Sequence, residues 1–324
     1  MNESPWVLVT NDDGIEAPGI RGLVCGLHEA GISTVVVAPA RNQSATGMRL
    51  TLGKPMEVVI REDLNHTWGL NGPAAVHLIQ LDGTPCDCAI VALDGGLDHL
   101  LPGITPSMMV SGINLGPNLS QDSYHSGTMA AAREAGLYGL PAIAASLSSF
   151  QIDGMDRAVE ATLEIVLRAL GTVPNIPVDL LRRGSNTKGE HRSNWPAGGQ
   201  RPWSEDPRAA AMEAFLLGDL MINLNVPPSW TGDWSTTRLG SRWYLNAVQW
   251  SEEGATFTIG GADVHHLPSD RGDCDADQAG HASVSCLPTW PQTHPLALDE
   301  GLLAWILDHP GPDGLPSILE PSSR

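Results

Sequence analysis

The chain has 324 residues, 42% of them hydrophobic and 17% charged, with a formal net charge of −19. This is the composition of a folded globular protein with material for one large domain or two modest ones, and it excludes a disordered chain. So acidic a field repels polyphosphate backbones, which argues against a polynucleotide partner while leaving room for a small nucleotide held through a cation.

The sequence has no 18-residue apolar run, so no membrane is expected as a partner. Met1-Asn2-Glu3-Ser4 lacks a basic n-region, and the expected location is cytoplasmic. The five cysteines, Cys25, Cys86, Cys88, Cys274 and Cys286, form no C-x-x-C pair and read as reduced packing residues.

In chain order, the first expected element is a strand over Val7–Thr10, ending in Asn11-Asp12-Asp13-Gly14. A helix follows over Pro18–Ala30, with Pro18 at its first turn and Ile20, Leu23, Val24 and Leu27 on one face. Thr34–Ala38, Met108–Val110 and Ala142–Ala145 are continuous apolar runs of the kind found in strands covered on both faces. Gly83-Thr84-Pro85 and Ser126-Gly127-Thr128 start helices between them, the second running through Met129–Tyr138. This alternation predicts an α/β fold, a three-layer sandwich around a Rossmann-like, mostly parallel sheet.

Asp153–Leu170 is the clearest long helix, with Ala158, Leu163, Val166, Leu167 and Leu170 near helical spacing. Residues 174–207 are rich in proline and glycine, carry Arg182, Arg183, Lys188, Arg192 and Arg201, and read as a polar insertion. Leu220–Val226, Trp243–Val248, Ala255–Ile259 and Ala282–Leu287 look like short strands of antiparallel hairpins, and Leu296–Leu307 like a terminal helix. The expected division is an α/β core of 1–173 and 208–264, with a C-terminal hairpin and helix region, 265–324. Ten tryptophans stand against three phenylalanines; for Trp230, Trp234, Trp243 and Trp250, core or interface packing is favoured over base stacking.

Four polar loops each follow an apolar strand: Thr10–Gly14, Ala38–Gly47, Ser111–Asn118 and Tyr124–Thr128. In a parallel sheet all four emerge on one edge, where open α/β sheets bind ligands. Two adjacent acids at the end of a core strand repel each other and call for a cation, and oxygen donors favour Mg²⁺, Mn²⁺ or Ca²⁺. The alternatives are plain: Asp-Asp-Gly as a turn, Asn114 as an Asx-turn, and Ser126 as an ordinary N-cap. A helix start such as Ser126-Gly127-Thr128 also suits a phosphate.

Together the loops resemble the SurE family, survival-protein-E 5′/3′-nucleotidases and exopolyphosphatases. The matching segments are Leu8–Ile15, Val37–Gly47, Gly83-Thr84-Pro85 with Asp87-Cys88, Val110–Asn118, and Ser126-Gly127-Thr128 with Ala131–Glu134 and Pro141–Ala144. Looser likeness runs through Ile222–Pro227, Thr237–Gly240 and Gly280–Ser285. The resemblance implies a phosphomonoesterase acting on nucleoside monophosphates. One divalent cation per subunit, Mg²⁺ or Mn²⁺, would be held by Asp12, Asp13, Ser44 and Asn114. Asn118, Ser126, Gly127 and Thr128 would meet the phosphate, with Asp12 and Asn118 as catalytic residues. A homodimer or homotetramer is implied as well, with 1–173 and 208–264 as the catalytic core and 265–324 serving oligomerisation.

His125 stands where the family's pattern suggests tyrosine and is a candidate proton donor to the leaving group. Two other readings are weighed. Covalent aspartyl-phosphate chemistry uses Asp-x-Asp, whereas these acids are adjacent. A metal-dependent nucleotide-binding protein without turnover would retain the same ligand set.

Overall fold

The computed structural model describes residues 5–176, 203–251 and 254–320. A nine-stranded sheet organises the chain. Its strands are β1 (Trp6–Thr10), β2 (Ser33–Pro39), β3 (Val58–Ile60), β4 (Val76–Leu81), β5 (Met108–Leu115), β6 (Ala142–Leu147), β7 (Leu220–Val226), β8 (Trp234–Thr237) and β13 (Ala282–Pro288). The spatial order is β3-β4-β2-β1-β5-β6-β7-β13-β8. From β4 to β7 all neighbours run parallel. β3 and β13 run antiparallel to β4 and β7 respectively, and β8 is parallel to β13.

Strand side chains alternate between two faces, and the sheet accordingly has two cores. Val7 and Val9 point to one, with Ile20, Leu23 and Leu27 of α1 (Pro18–Glu29) and Ala158 and Ile165 of α7 (Met155–Leu170). Leu8 points to the other, with Cys88 and Ala89 of α3 (Pro85–Val91) and Met129, Ala131 and Ala135 of α6 (Gly127–Leu137). Burial on both faces explains why these strands are continuous apolar runs. The three-layer α/β expectation is therefore met.

α3 starts where Gly83-Thr84-Pro85 predicts: the Thr84 hydroxyl accepts from the Asp87 amide, and the Asp87 carboxylate accepts from the Thr84 amide. α7 begins two residues late, after Gly154 at φ 93°. Its buried face is built on Ala161, Ile165 and Ala169, while Leu167 is 44% exposed. The terminal helix is α10 (Glu300–Asp308), because the Asp299 side chain caps the Gly301 amide; Leu296 and Leu298 are buried ahead of it.

The hairpin reading of β7 and β13 needs correction. β7 lies parallel to β6, and the connection between them holds α7 and α8 (Pro207–Leu216), as a parallel crossover requires. Short apolar runs do not reveal whether a partner comes from a hairpin or a crossover. Residues 265–324 do not stand apart from the core either, since β13 is inserted between β7 and β8. Among the described residues, hairpin ladders are confined to β9 (Ser241–Leu245) with β12 (Asp263–Leu267) and β10 (Val248–Trp250) with β11 (Phe257–Ile259).

Other elements are α2 (Glu62–Thr67), α4 (Leu97–Leu100), α5 (Asp122–His125) and α9 (Asp273–Gln278). Residues 177–202 of the expected insertion lie outside the described residues. No helix among the described residues is long and apolar enough to cross a membrane.

Candidate active site

Asp12 and Asp13 follow directly from β1, whose central position in the sheet puts them between the loops of β2 and β5. Hydrogen bonds then tie the four predicted loops into one cluster. The Gln43 amide donates to the Asp12 carbonyl at 2.6 Å, joining the second loop to the first. The Leu115 amide donates to Asp13 Oδ2 at 3.0 Å, joining the third. The Thr128 hydroxyl donates to Asp12 Oδ1 at 2.6 Å, joining the fourth. The Gly47 amide closes the ring by donating to the His125 carbonyl at 2.9 Å.

Gly127 is needed for the fourth contact. A Cβ there would lie 2.8 Å from the Asp12 Cβ and 3.0 Å from Oδ2, too close for any side chain. The start of α6 can press against Asp12 only because residue 127 has none.

The two carboxylates are costly as they stand. Burial pushes the Asp12 carboxyl up to about 6; the Thr128 hydrogen bond pulls it back, and the Asp13 charge raises it again. Burial also raises Asp13, against the Leu115 amide. Among the described residues neither acid has an ion-pair partner: the described salt bridges all lie elsewhere. No group of three His, Cys, Asp or Glu suited to a metal occurs among the described residues. A cation here would thus rest on two carboxylates and neutral oxygens, a donor set for a hard ion rather than zinc.

The neutral candidates are arranged accordingly. Asn114 spends its amide nitrogen on the Gly116 carbonyl at 2.8 Å, which leaves its oxygen as the end for a cation. Ser44 is exposed, with its amide donating to Asn42 Oδ1 at 2.9 Å; the Asn42 side chain in turn donates to Asp13 Oδ1 at 3.4 Å. The residues present therefore fit a divalent ion.

Asn118 is buried and clamped. Its amide donates to Asn225 Oδ1 at 2.7 Å, and its carbonyl accepts from Asn223 at 3.0 Å and Asn225 at 3.2 Å. One of its side-chain N–H groups goes to the Ser146 hydroxyl at 2.8 Å. Ser126 behaves as the plain alternative anticipated, capping α6 by accepting from the Met129 amide at 3.0 Å. Thr128 spends its hydroxyl on Asp12, so toward a phosphate it offers its amide. His125 ends α5 with an exposed side chain.

Sequence reasoning passed over the supports. Asn223 and Asn225 sit in a strand buried throughout, and two amides in such a strand were the available signal. Asp273 gave none. Its buried carboxylate accepts from the Ser120 and Gly240 amides at 3.0 and 2.7 Å, holding the chain just past Asn118 from 153 residues away.

Glu134, on α6 behind the fourth loop, is a buried acid raised to about 7 from 4.5 by burial and then by the Asp87 charge. The folded chain keeps a proton that the unfolded chain releases, so stability falls as pH rises from about 4.5 to about 7 and stays reduced above. Glu134→Gln is expected to stabilise the protein by about 2 kcal/mol at pH 8 and by little at pH 4.5, read from urea unfolding at the two pH values.

An open, mostly parallel α/β sheet with a paired-acid loop cluster at the carboxyl ends of its strands has the architecture of a ligand-binding α/β protein. Within it, the family model described as "Survival protein SurE" matches residues 7–246, and the chain belongs to the SurE family. A protein named 5′-nucleotidase SurE from Herpetosiphon aurantiacus is 32% identical over 306 residues, covering 93% of this chain and 95% of that one. Another of that name, from Pelobacter propionicus, is 39% identical over 199 residues, covering 58% of this chain and 73% of its own. The crystal structure of the SurE protein from Aquifex aeolicus matches with a TM-score of 0.60 at 23% identity, covering 89% of this chain and 95% of that one, a likeness of fold.

Proposed function

We propose that the chain is a divalent-metal-dependent phosphomonoesterase that releases phosphate from nucleoside 5′-monophosphates. The observation that carries this is the pair Asp12-Asp13, the first buried and the second half-buried, without a cationic partner among the described residues and hydrogen-bonded to three other loops. The names of the relatives support the substrate class.

Asp12, Asp13, Ser44 and Asn114 would hold Mg²⁺ or Mn²⁺, one ion per subunit. When bound, the ion supplies Lewis-acid polarisation and a more acidic water. The chain's own residues do the remaining work. Asp12 orients the attacking water from a position fixed by Thr128. Asn118 and the amides of Gly127 and Thr128 at the start of α6 meet the phosphoryl oxygens. His125 is the candidate donor to the leaving oxygen.

The test is phosphate release from nucleoside 5′-monophosphates with Mn²⁺ or Mg²⁺. Activity is expected with either or both ions and is expected to vanish in EDTA and return on adding metal. Nucleoside 3′-monophosphates and short polyphosphate form further arms of the same assay. Nucleotide binding with no release in any arm would favour the silent-protein reading.

A homodimer or homotetramer belongs to the same proposal. The two hairpins expose Trp243, Trp250, Phe257 and Ile259, at 59%, 71%, 70% and 84%. Apolar side chains so placed on paired strands are ready for a second copy.

A further inference from the structure

We infer that Phe150 is the platform on which the substrate's nucleobase stacks, an inference that rests on the proposed nucleotidase reading. Phe150 lies in the loop that leaves β6, on the same sheet edge as the four polar loops. It is 72% exposed. A single exposed apolar residue is unremarkable, but this ring has a prepared seat. It lies over Gly116, two residues from Asn114 and next to Leu115, whose amide holds Asp13. A Cβ on Gly116 would come within 2.9 Å of the ring's Cε1 and 3.2 Å of Cδ1. Gly116 also has φ 138°, which side chains rarely adopt. The Cδ1–Cε1 edge of the ring is thus packed against bare backbone, and most of the rest of the ring is left to solvent.

The placement suits a nucleotide. With phosphate at Asp12, Asp13 and Thr128, the ring stands beyond Asp13 and Leu115, against the Gly116 end of the third loop. The loop that carries Phe150 continues into Ile152 and Asp153, which line a cavity of about 640 Å³ together with Glu16 and Arg21. Aromatic faces accept any base, with larger purine rings gaining more contact.

Other exposed aromatic residues fit less well. Trp243, Trp250 and Phe257 lie on the hairpins, in β9, β10 and β11. Tyr124 is 75% exposed on the fourth loop, in α5, and among the described residues no glycine lies beneath its ring.

The experiment compares Phe150→Ala, Phe150→Trp and Tyr124→Ala with the unchanged protein, on adenosine 5′-monophosphate and on base-free ribose 5-phosphate. Phe150→Ala is expected to raise KM for the nucleotide about tenfold while leaving kcat and the KM for ribose 5-phosphate within about twofold. Phe150→Trp is expected to restore the nucleotide KM. Calorimetric binding of both ligands, with Mn²⁺ and with EDTA, reads the same preference without turnover, so an absent activity would count against the enzyme reading and not against the platform. The inference is overturned if Phe150→Ala weakens both ligands equally or neither. It is equally overturned if Tyr124→Ala produces the selective loss instead.

Discussion

Asp13→Asn and Asp12→Asn should each lower kcat for phosphate release by at least about a hundredfold while the protein stays folded. Each substitution keeps an oxygen where the structure needs an acceptor, for the Leu115 amide at Asp13 and for the Thr128 hydroxyl at Asp12. Each removes one of two like charges that burial already disfavours. Melting temperature without metal is therefore expected to hold or rise. Activity should fall because half of the formal charge available to a cation is gone. Asp13→Asn is further expected to need more Mn²⁺ for its residual activity, which a metal titration would reveal. Phosphate release at the unchanged rate in both variants would mean that the chemistry is elsewhere.

Asn225→Ala is expected to cost about 2 kcal/mol of stability and to reduce activity more than Asn223→Ala does. Asn225 both accepts from the Asn118 amide and donates to its carbonyl, whereas Asn223 only donates. Losing Asn225 leaves a buried N–H without its acceptor, while losing Asn223 leaves the carbonyl one of its two donors. Urea unfolding measures the first effect, and kcat and KM for a nucleoside monophosphate the second. Equal effects from the two variants, or none from Asn225→Ala, would exclude a clamp on Asn118.

The difference between Asp12 and Asn225 shows what was legible. Asp12-Asp13 announces itself locally, because adjacent acids after an apolar strand need explaining by chemistry within a few residues. The parallel sheet was legible for a similar reason: Val7–Thr10, Thr34–Ala38 and Ala142–Ala145 are apolar without alternation, which only two-sided burial accommodates. Asn225 and Asp273 act across the fold, on Asn118 and Ser120, over 107 and 153 residues. Nothing in their own neighbourhood states that distance. β3 and β4 were missed because a short, half-exposed edge pair has neither a long apolar run nor a clean alternation. α8 carried visible signals in Asp206 and Pro207, its N-cap and first residue, but the proline-rich stretch before it concealed them.

The ring of ties from Gln43 to Asp12, Asp13 to Leu115, Thr128 to Asp12 and Gly47 to His125 has one more implication. Such cross-bracing works like an arch, in which every stone bears on the next and none can be eased out alone. Injuries to separate segments of the arch should overlap in their cost instead of summing, so a double variant would be less crippled than its two parents suggest.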